Sequence, residues 1–431
     1  MTRLFYNFLM WLAQPLLRLK LARRGQREPG YLHAVAERFG RYDQPVPEAA
    51  GPTVWLHAVS LGETRAAVQL VLALRSRLPG MRLLLTHGTA TGRAEGQKLL
   101  QAGDIQCWQP WDTSACAARF VAHFRPRIGI LMETELWPNL VAACAQAGVP
   151  LVLGNARLSE KSLNWSRRLG WLARPAYRSL TAVWAQTQDD AKRLSAMGAR
   201  VQGILGNLKF DATPDAGQVQ MGRAWHATTG RPVIMFASSR EGEEAALLQA
   251  LNATDSVGVA RAVQWLVVPR HPQRFEEVAA LMAQHGFAVS RRSQWRGGPP
   301  AAAVTQAEQP TLWLGDSLGE MALYYGLSDV ALLGGSFEAL GGQNLIEAAA
   351  CACPVVMGPH TFNFAEAAEL ARASGAAERV TSLREAVRAA SALVGDPSRL
   401  SGARQAADAF ALAHQGATGR LADAICRLIE K

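Results

Sequence analysis

The sequence predicts an α/β protein of two domains, each a parallel sheet covered by helices on both faces. Three observations carry this. At 431 residues the chain is too long for one ordinary core. Short apolar, β-branched runs alternate with helical stretches of ten or more residues, the pattern of strand–helix–strand crossovers. The alternation breaks once, between residues 206 and 230, where polar residues and a proline intervene without a long apolar run. Apolar residues make up 49% and charged residues 19%, the balance of a folded chain and not of a disordered one.

The chain opens on an apolar, uncharged stretch, residues 4–17, followed by Arg18, Lys20, Arg23, Arg24 and Arg27. A free-standing transmembrane helix wants about 20 apolar residues, and Pro15 would bend this one. The charge follows the apolar run, and no small-residue cleavage site comes after it, which disfavours a signal peptide. A basic cluster beside an apolar segment marks the cytoplasmic side. Residues 1–28 therefore read as a membrane anchor, spanning or interfacial. An amphipathic helix docked on its own domain is the alternative.

The first α/β domain is placed at 31–206. Strands are expected at 54–59, 81–86, 104–109, 128–132, 151–154 and 182–186, separated by helices. Residues 207–230 read as a linker. A second series follows at 231–415, with strands at 232–237, 265–269, 288–290, 311–314, 330–333 and 354–357. A carboxyl-terminal helix is expected at 416–431. Two domains of similar size with a cleft between them are the natural architecture.

Net charge is +10 and pI about 9.7, which favours anionic partners. Nucleic acid is not expected, because no Lys/Arg run is interleaved with aromatics in a known module. The six cysteines are scattered, and no Cys or His pairing completes a zinc pattern, so reduced, buried thiols are expected.

Several motifs sit where strands end, the place where open α/β sheets bind ligands. His57-Ala-Val-Ser-Leu-Gly-Glu63 puts a carboxylate between a strand and a helix. Ser60-Leu-Gly-Glu63 is also a capping box, the commoner use of that spacing. Met132-Glu-Thr-Glu-Leu-Trp-Pro-Asn139 offers Glu133 and Glu135 on one side of an extended chain, or as acids at a helix N-terminus. Ser238, Ser239 and Arg240 follow a strand and could hold a phosphate, with a serine cap as the rival. Arg270, His271 and Arg274 crowd a proline-stiffened loop and suggest an anion site. The glycine-rich stretches 314–321 and 333–347 let backbone approach a ligand, and Asn344 with Glu347 also opens a helix as a cap. There is no Gly-x-Gly-x-x-Gly fingerprint, Gly-Lys-Ser/Thr P-loop, Gly-x-Ser-x-Gly elbow or Asp-x-Asp.

Taken in order, these motifs resemble one family, the 3-deoxy-D-manno-octulosonic acid (Kdo) transferases of lipopolysaccharide assembly. The matching pieces are His57 to Glu63, Met132 to Asn139, Gly154-Asn-Ala-Arg-Leu-Ser159, Gly206-Asn-Leu-Lys209, Pro269-Arg-His-Pro272, Gly315 to Met321, Gly334-Gly-Ser336 and Gly342-Gln-Asn344. The resemblance implies a GT-B glycosyltransferase with two Rossmann-like domains facing a cleft. It implies inverting transfer of Kdo from CMP-Kdo to a lipid A precursor, lipid IVA, at the cytoplasmic face of the inner membrane. By the motif, Glu63 is the general base, and Glu133 and Lys209 stabilise the transition state. Arg270, His271, Gly319, Glu320, Met321, Asn344 and Glu347 match CMP-binding positions, to which the residue reading adds Ser238, Ser239, Arg240 and Ser336. The expected cofactor set is empty, with no active-site metal. Ala348 departs from the pattern, where many relatives carry Pro. Two other readings are compatible with the motifs taken singly: a GT-B enzyme using a UDP-sugar, and a non-catalytic nucleotide- or lipid-binding scaffold on the membrane.

Overall fold

The structure is a computed structural model that describes residues 2–43, 51–211, 213–253, 262–300 and 310–430. The chain forms two compact units. The first comprises residues 1–211 together with 415–431, and the second residues 212–414.

The first unit holds a seven-stranded sheet in the order β3-β2-β1-β4-β5-β6-β7. Its strands are β1 (Thr53–His57), β2 (Arg82–His87), β3 (Ile105–Trp108), β4 (Ile128–Met132), β5 (Leu151–Ala156), β6 (Ala182–Ala185) and β7 (Val201–Ile204). Every pairing is parallel. The central strands are apolar at nearly every position because helices cover both faces. Side chains alternate across the sheet. Val54 and Leu56 join one core with Leu70 and Leu74, while Trp55 joins the other with Phe120 and Leu140. Trp55 is fully buried, and its indole N–H donates to Thr86 Oγ1 at 2.8 Å. Truncating such a residue to alanine costs about 3–5 kcal/mol.

The second unit repeats the plan with the order β10-β11-β9-β8-β12-β13-β14, again all parallel. Its strands are β8 (Val233–Ser239), β9 (Gln264–Pro269), β10 (Ala288–Arg291), β11 (Thr311–Leu314), β12 (Val330–Leu333), β13 (Val355–Met357) and β14 (Ala377–Arg379). One core of this unit gathers Ile234, Phe236, Trp265 and Val267 under Leu247, Leu251, Val278 and Val387.

The strands at 201–204 and 377–379 escape the sequence reading. Both are short edge strands, and β7 is not fully buried at any position. Residues 207–230, expected as a linker, contain the boundary between units, but the helix Ala216–Thr229 fills most of the segment. Two glycines explain its packing. A Cβ on Gly222 would lie 2.2 Å from Leu323 O, and one on Gly326 would lie 2.5 Å from Val219 O. The helices Ala216–Thr229 and Met321–Leu327 therefore approach backbone to backbone. Close packing through small residues leaves little apolar periodicity to read.

The amino-terminal helix runs Thr2–Arg27. It docks on the first unit through Tyr6, which donates to Asp112 Oδ2 at 2.9 Å, through Leu21, and through Arg18 over the Phe39 ring. Its opposite face leaves Leu4, Phe8, Trp11, Leu12 and Leu16 exposed, with Trp11 64% accessible. Among the described residues, no helix is long and apolar enough to cross a membrane. Pro15 and the cations from Arg18 onward cut the apolar run of the amino-terminal helix short. The helix Ala417–Ile429 closes the first unit, placing Leu421 and Ile425 in the core beside Leu56. All six cysteines are buried and unpaired.

Candidate active site

In the first sheet β1 and β4 lie side by side, and the chain winds away from them in opposite directions. This is the topological switch point, where a crevice opens at the strands' carboxyl ends. Glu63 follows β1 and Glu133 follows β4.

Ser60 caps the helix Leu61–Arg77, its Oγ accepting from the Glu63 N–H at 3.4 Å. The Glu63 carboxylate reaches back. Its Oε2 accepts from the Val59 N–H and its Oε1 from the Ser60 hydroxyl, each at 2.9 Å. The spacing that reads as a capping box therefore is one, with Val59 in place of the Ser60 N–H as backbone donor. Burial raises the Glu63 carboxyl to about 7. The Val59 and Ser60 bonds resist this, and the nearby charges of Glu133 and Glu135 add to it. The carboxyl is thus poised between its two protonation states at neutral pH.

Glu133 sits in a left-handed turn at φ 56°, an uncommon conformation for a residue with a Cβ. The neighbouring strand holds it there. Its N–H donates to Gly154 O, and its carbonyl accepts from the Arg157 N–H. The Met132–Asn139 stretch is therefore not extended, as its Glu-x-Glu spacing suggested, yet both acids bear on Glu63. Burial also raises the Glu135 carboxyl.

Lys209 Nζ lies 3.2 Å from Glu133 Oε1. The lysine sits on the short turn Leu208–Asp211, which two asparagines fix. Asn155 Oδ1 accepts from the Leu208 N–H at 3.1 Å, and Asn207 Oδ1 from the Lys209 N–H at 3.0 Å. Asn155 is buried and itself at φ 51°. It was not singled out from sequence as a site residue. The available signal was its place in Gly154-Asn-Ala-Arg, since asparagine is one of the few residues that visit the left-handed region readily. Glu63, Glu133 and Lys209, far apart in sequence, thus share one electrostatic neighbourhood.

The second sheet has its own switch point, between β8 and β12. Ser238, the last residue but one of β8, lies at φ 56°, where the pairing with β9 shifts register. Ser239 is buried and donates to Glu244 Oε1 at 2.8 Å, and Arg274 pairs with the same carboxylate. Ser336 is also committed, donating to Leu333 O and accepting from the Gly358 N–H. A residue absent from the sequence reading, Glu243, takes the N–H groups of Arg240, Gly335 and Phe337. Its buried carboxylate fills the glycine-rich cradle that the pattern offered to a phosphate, and burial raises its carboxyl.

Other positions stay closer to solvent. Arg270 Nε donates to Gln343 Oε1 at 3.3 Å, tying the end of β9 to the glycine-rich loop. His271 begins the turn Pro272–Arg274. Arg240 lies beside Glu241 at 3.0 Å. Gly319, at φ 78°, accepts from Gln218 Nε2 through its carbonyl. Glu320 pairs with Arg292 at 2.7 Å, and Met321 starts the next helix. Asn344 caps the helix Leu345–Ala350, with Glu347 in its first turn. Among the described residues, no group of three or more His, Cys, Asp or Glu side chains could hold a metal ion.

The chain is similar to known proteins over most of its length. A family model described as 3-deoxy-D-manno-octulosonic-acid transferase (kdotransferase) matches residues 33–212. The chain is 46% identical to the 3-deoxy-D-manno-octulosonic acid transferase of Bordetella pertussis, over 95% of this chain and 96% of that one. It is 31% identical to the enzyme of the same name from Haemophilus influenzae over the full length of both. Among solved structures, a glycosyltransferase from Rickettsia africae matches with a TM-score of 0.56 at 14% identity, covering 90% of this chain and 100% of that one. A UDP-GlcNAc 2-epimerase from Neisseria meningitidis matches equally well in shape, with a TM-score of 0.56 at 14% identity over 88% and 99% of the two chains.

Two doubly wound parallel sheets place the chain in the GT-B architecture, which glycosyltransferases and the epimerase share. The full-length identities narrow this further. The chain belongs to the 3-deoxy-D-manno-octulosonic acid transferase family.

Proposed function

We propose that this glycosyltransferase moves Kdo from CMP-Kdo to a phosphorylated lipid A precursor, lipid IVA, with inversion at the anomeric carbon and Glu63 as general base. The observation that carries the reading is the Glu63 carboxyl, raised to about 7 beside the Glu133–Lys209 pair. A base works best when its proton affinity lies near the working pH. The acceptor hydroxyl gives its proton to Glu63 as its oxygen bonds to the anomeric carbon. The bond from that carbon to the CMP phosphate breaks, and CMP leaves with the electron pair. The leaving group is already a stable anion, so positive charge can replace a general acid. Lys209 and Arg270 are the candidate suppliers, and the reading requires no metal. Arg240, Arg270, His271, Glu320 and Asn344 are the candidate nucleotide contacts of the second unit.

The amino-terminal helix fits an interfacial anchor. Its exposed leucines and aromatics would enter the headgroup region, and its arginines would meet anionic lipid at the cytoplasmic face of the inner membrane. Mass analysis of lipid incubated with purified protein and CMP-Kdo tests the reaction. Kdo-bearing lipid and free CMP are the expected products. A folded protein that yields neither, or that binds UDP more tightly than CMP, overturns the assignment.

A further inference from the structure

A cavity of about 230 Å³ lies between the amino-terminal helix and the carboxyl ends of the first sheet's strands. Three cations line it. Lys20 and Arg24 come from the helix, and Arg38 from the short turn Val35–Phe39. Arg38 is only 3% exposed. Its Nη2 donates to Gly88 O at 3.3 Å, its guanidinium stacks 3.9 Å from the centre of the Trp108 ring, and its Nε has no hydrogen-bond partner. No carboxylate among the described residues lies within ion-pairing distance of Arg38, Lys20 or Arg24. The adjacent acid, Glu37, is spent on Arg93 and the Trp108 N–H. A buried guanidinium without a counter-ion is costly unless an anion arrives to meet it.

The walls are polar in a complementary way. Both amide atoms of Gln109, the His57 Nε2 and the Trp111 indole N–H are buried without partners. They supply donors and acceptors of the kind that hydroxyl groups satisfy. Glu135 is the one acid on the wall, and burial favours its neutral form. Val59 also lines the cavity, and its N–H holds the Glu63 carboxylate at 2.9 Å. Anything bound here therefore lies beside the candidate base. The exposed apolar side chains Leu16 and Leu19 share a second, open depression on the helix with Lys20 and Arg24.

We propose that this cavity is a phosphate-monoester subsite for the acceptor glycolipid, with Arg38 gripping the phosphate, Lys20 and Arg24 flanking it, and Gln109 and His57 reading sugar hydroxyls. The proposal rests on the acceptor being a phosphorylated glycolipid. Guanidinium suits phosphate through paired, directional hydrogen bonds.

Equilibrium binding to the full-length chain without a sugar-nucleotide donor, so that no transfer occurs, tests it. The probes are a deacylated glucosamine disaccharide bisphosphate, the same disaccharide stripped of phosphate, and inorganic phosphate. The bisphosphate should bind at least tenfold more tightly than the stripped sugar. Arg38→Gln should erase that preference, and Lys20→Gln with Arg24→Gln should reduce it several-fold. Inorganic phosphate should compete only at far higher concentration; equal potency would mean a free-phosphate site and overturn the acceptor assignment. Equal affinity for the two sugars overturns the proposal, as does a preference unchanged in Arg38→Gln. If Arg38→Gln fails to fold, the two exposed helix positions decide the matter alone. The transfer assay separates this from the reaction. Phosphate-dependent binding without Kdo transfer overturns the function and keeps the subsite, whereas transfer indifferent to phosphate overturns the subsite and keeps the function.

Discussion

Burial sets the Glu63 carboxyl near 7, so its proton is lost inside the range where activity can be assayed. Below that value the proposed base is occupied by its own proton. The rate should therefore rise with pH to a plateau, with a midpoint near 7. Glu63→Gln should lower kcat by about 10²–10⁴-fold, the usual worth of a positioned base, while CMP binding stays unchanged. The charge of Glu133 helps hold the Glu63 carboxyl up. Glu133→Gln should then move the midpoint to lower pH while also slowing the reaction, and an unmoved midpoint would show that the two carboxylates do not interact. Stability should respond to pH through the histidines. Burial lowers His57 to about 3 and His87 to about 4, from an ordinary 6.5. The unfolded chain takes up protons below about 6.5 that the folded chain refuses, so stability is full above that pH and is lost as pH falls toward 4. Glu63 works the other way, binding its proton more tightly when folded between 4.5 and 7. Urea midpoints measured in the Glu63→Gln background should show the histidine effect without that opposition.

The turns that carry Glu133 and Lys209 depend on neighbouring strands. Lys209 belongs to a four-residue turn whose position comes from Asn155, across the end of β5. Asn155→Ala would strand the buried Leu208 N–H, at a cost of about 1–3 kcal/mol. The same change should lower kcat by releasing Lys209 from Glu133, with the donor's KM little altered. Calorimetry and steady-state kinetics on one variant would separate the two effects. The helix Ala216–Thr229 offers a purely structural contrast. Gly222→Ala would press a methyl group against Leu323 O and should destabilise the fold by about 1–3 kcal/mol, without changing the pH midpoint. The loops of the second unit show why motif reading needs such checks. A glycine-rich stretch after a strand promises free N–H groups, but Glu243 already occupies those of Gly335 and Phe337. Nothing in the local spacing announces that a glutamate 92 residues away would take them.

For the molecule as a whole, the amino-terminal helix is two-faced. One face is anchored by Tyr6, Arg18 and Leu21, and the other presents Phe8 and Trp11 to solvent. Phe8→Glu with Trp11→Glu should abolish sedimentation with anionic vesicles and leave the melting temperature unchanged, because both side chains are exposed. Wild-type binding should weaken as salt is raised, since the helix arginines contribute through screened charge. Retained vesicle binding in the double variant would place the membrane contact elsewhere.

Much of this protein was legible along the chain. Each central strand reads as an apolar run because it is buried on both sides. Ser60 with Glu63, and Asn344 with Glu347, read as caps because capping is a local exchange of hydrogen bonds. The ordered motifs pointed to the family and singled out Glu63, Glu133 and Lys209, which the fold brings into one electrostatic neighbourhood. What the chain could not show depends on residues far apart in sequence. The order of the strands, the left-handed turn at Glu133, the capture of the glycine-rich loop by Glu243 and the return of the carboxyl-terminal helix to the first unit all arise from long-range pairing. The same holds for proton affinity. Glu63 is an ordinary carboxylic acid in sequence, and it becomes a group that titrates near neutrality only when the fold strips its water and brings Glu133 and Glu135 to its side.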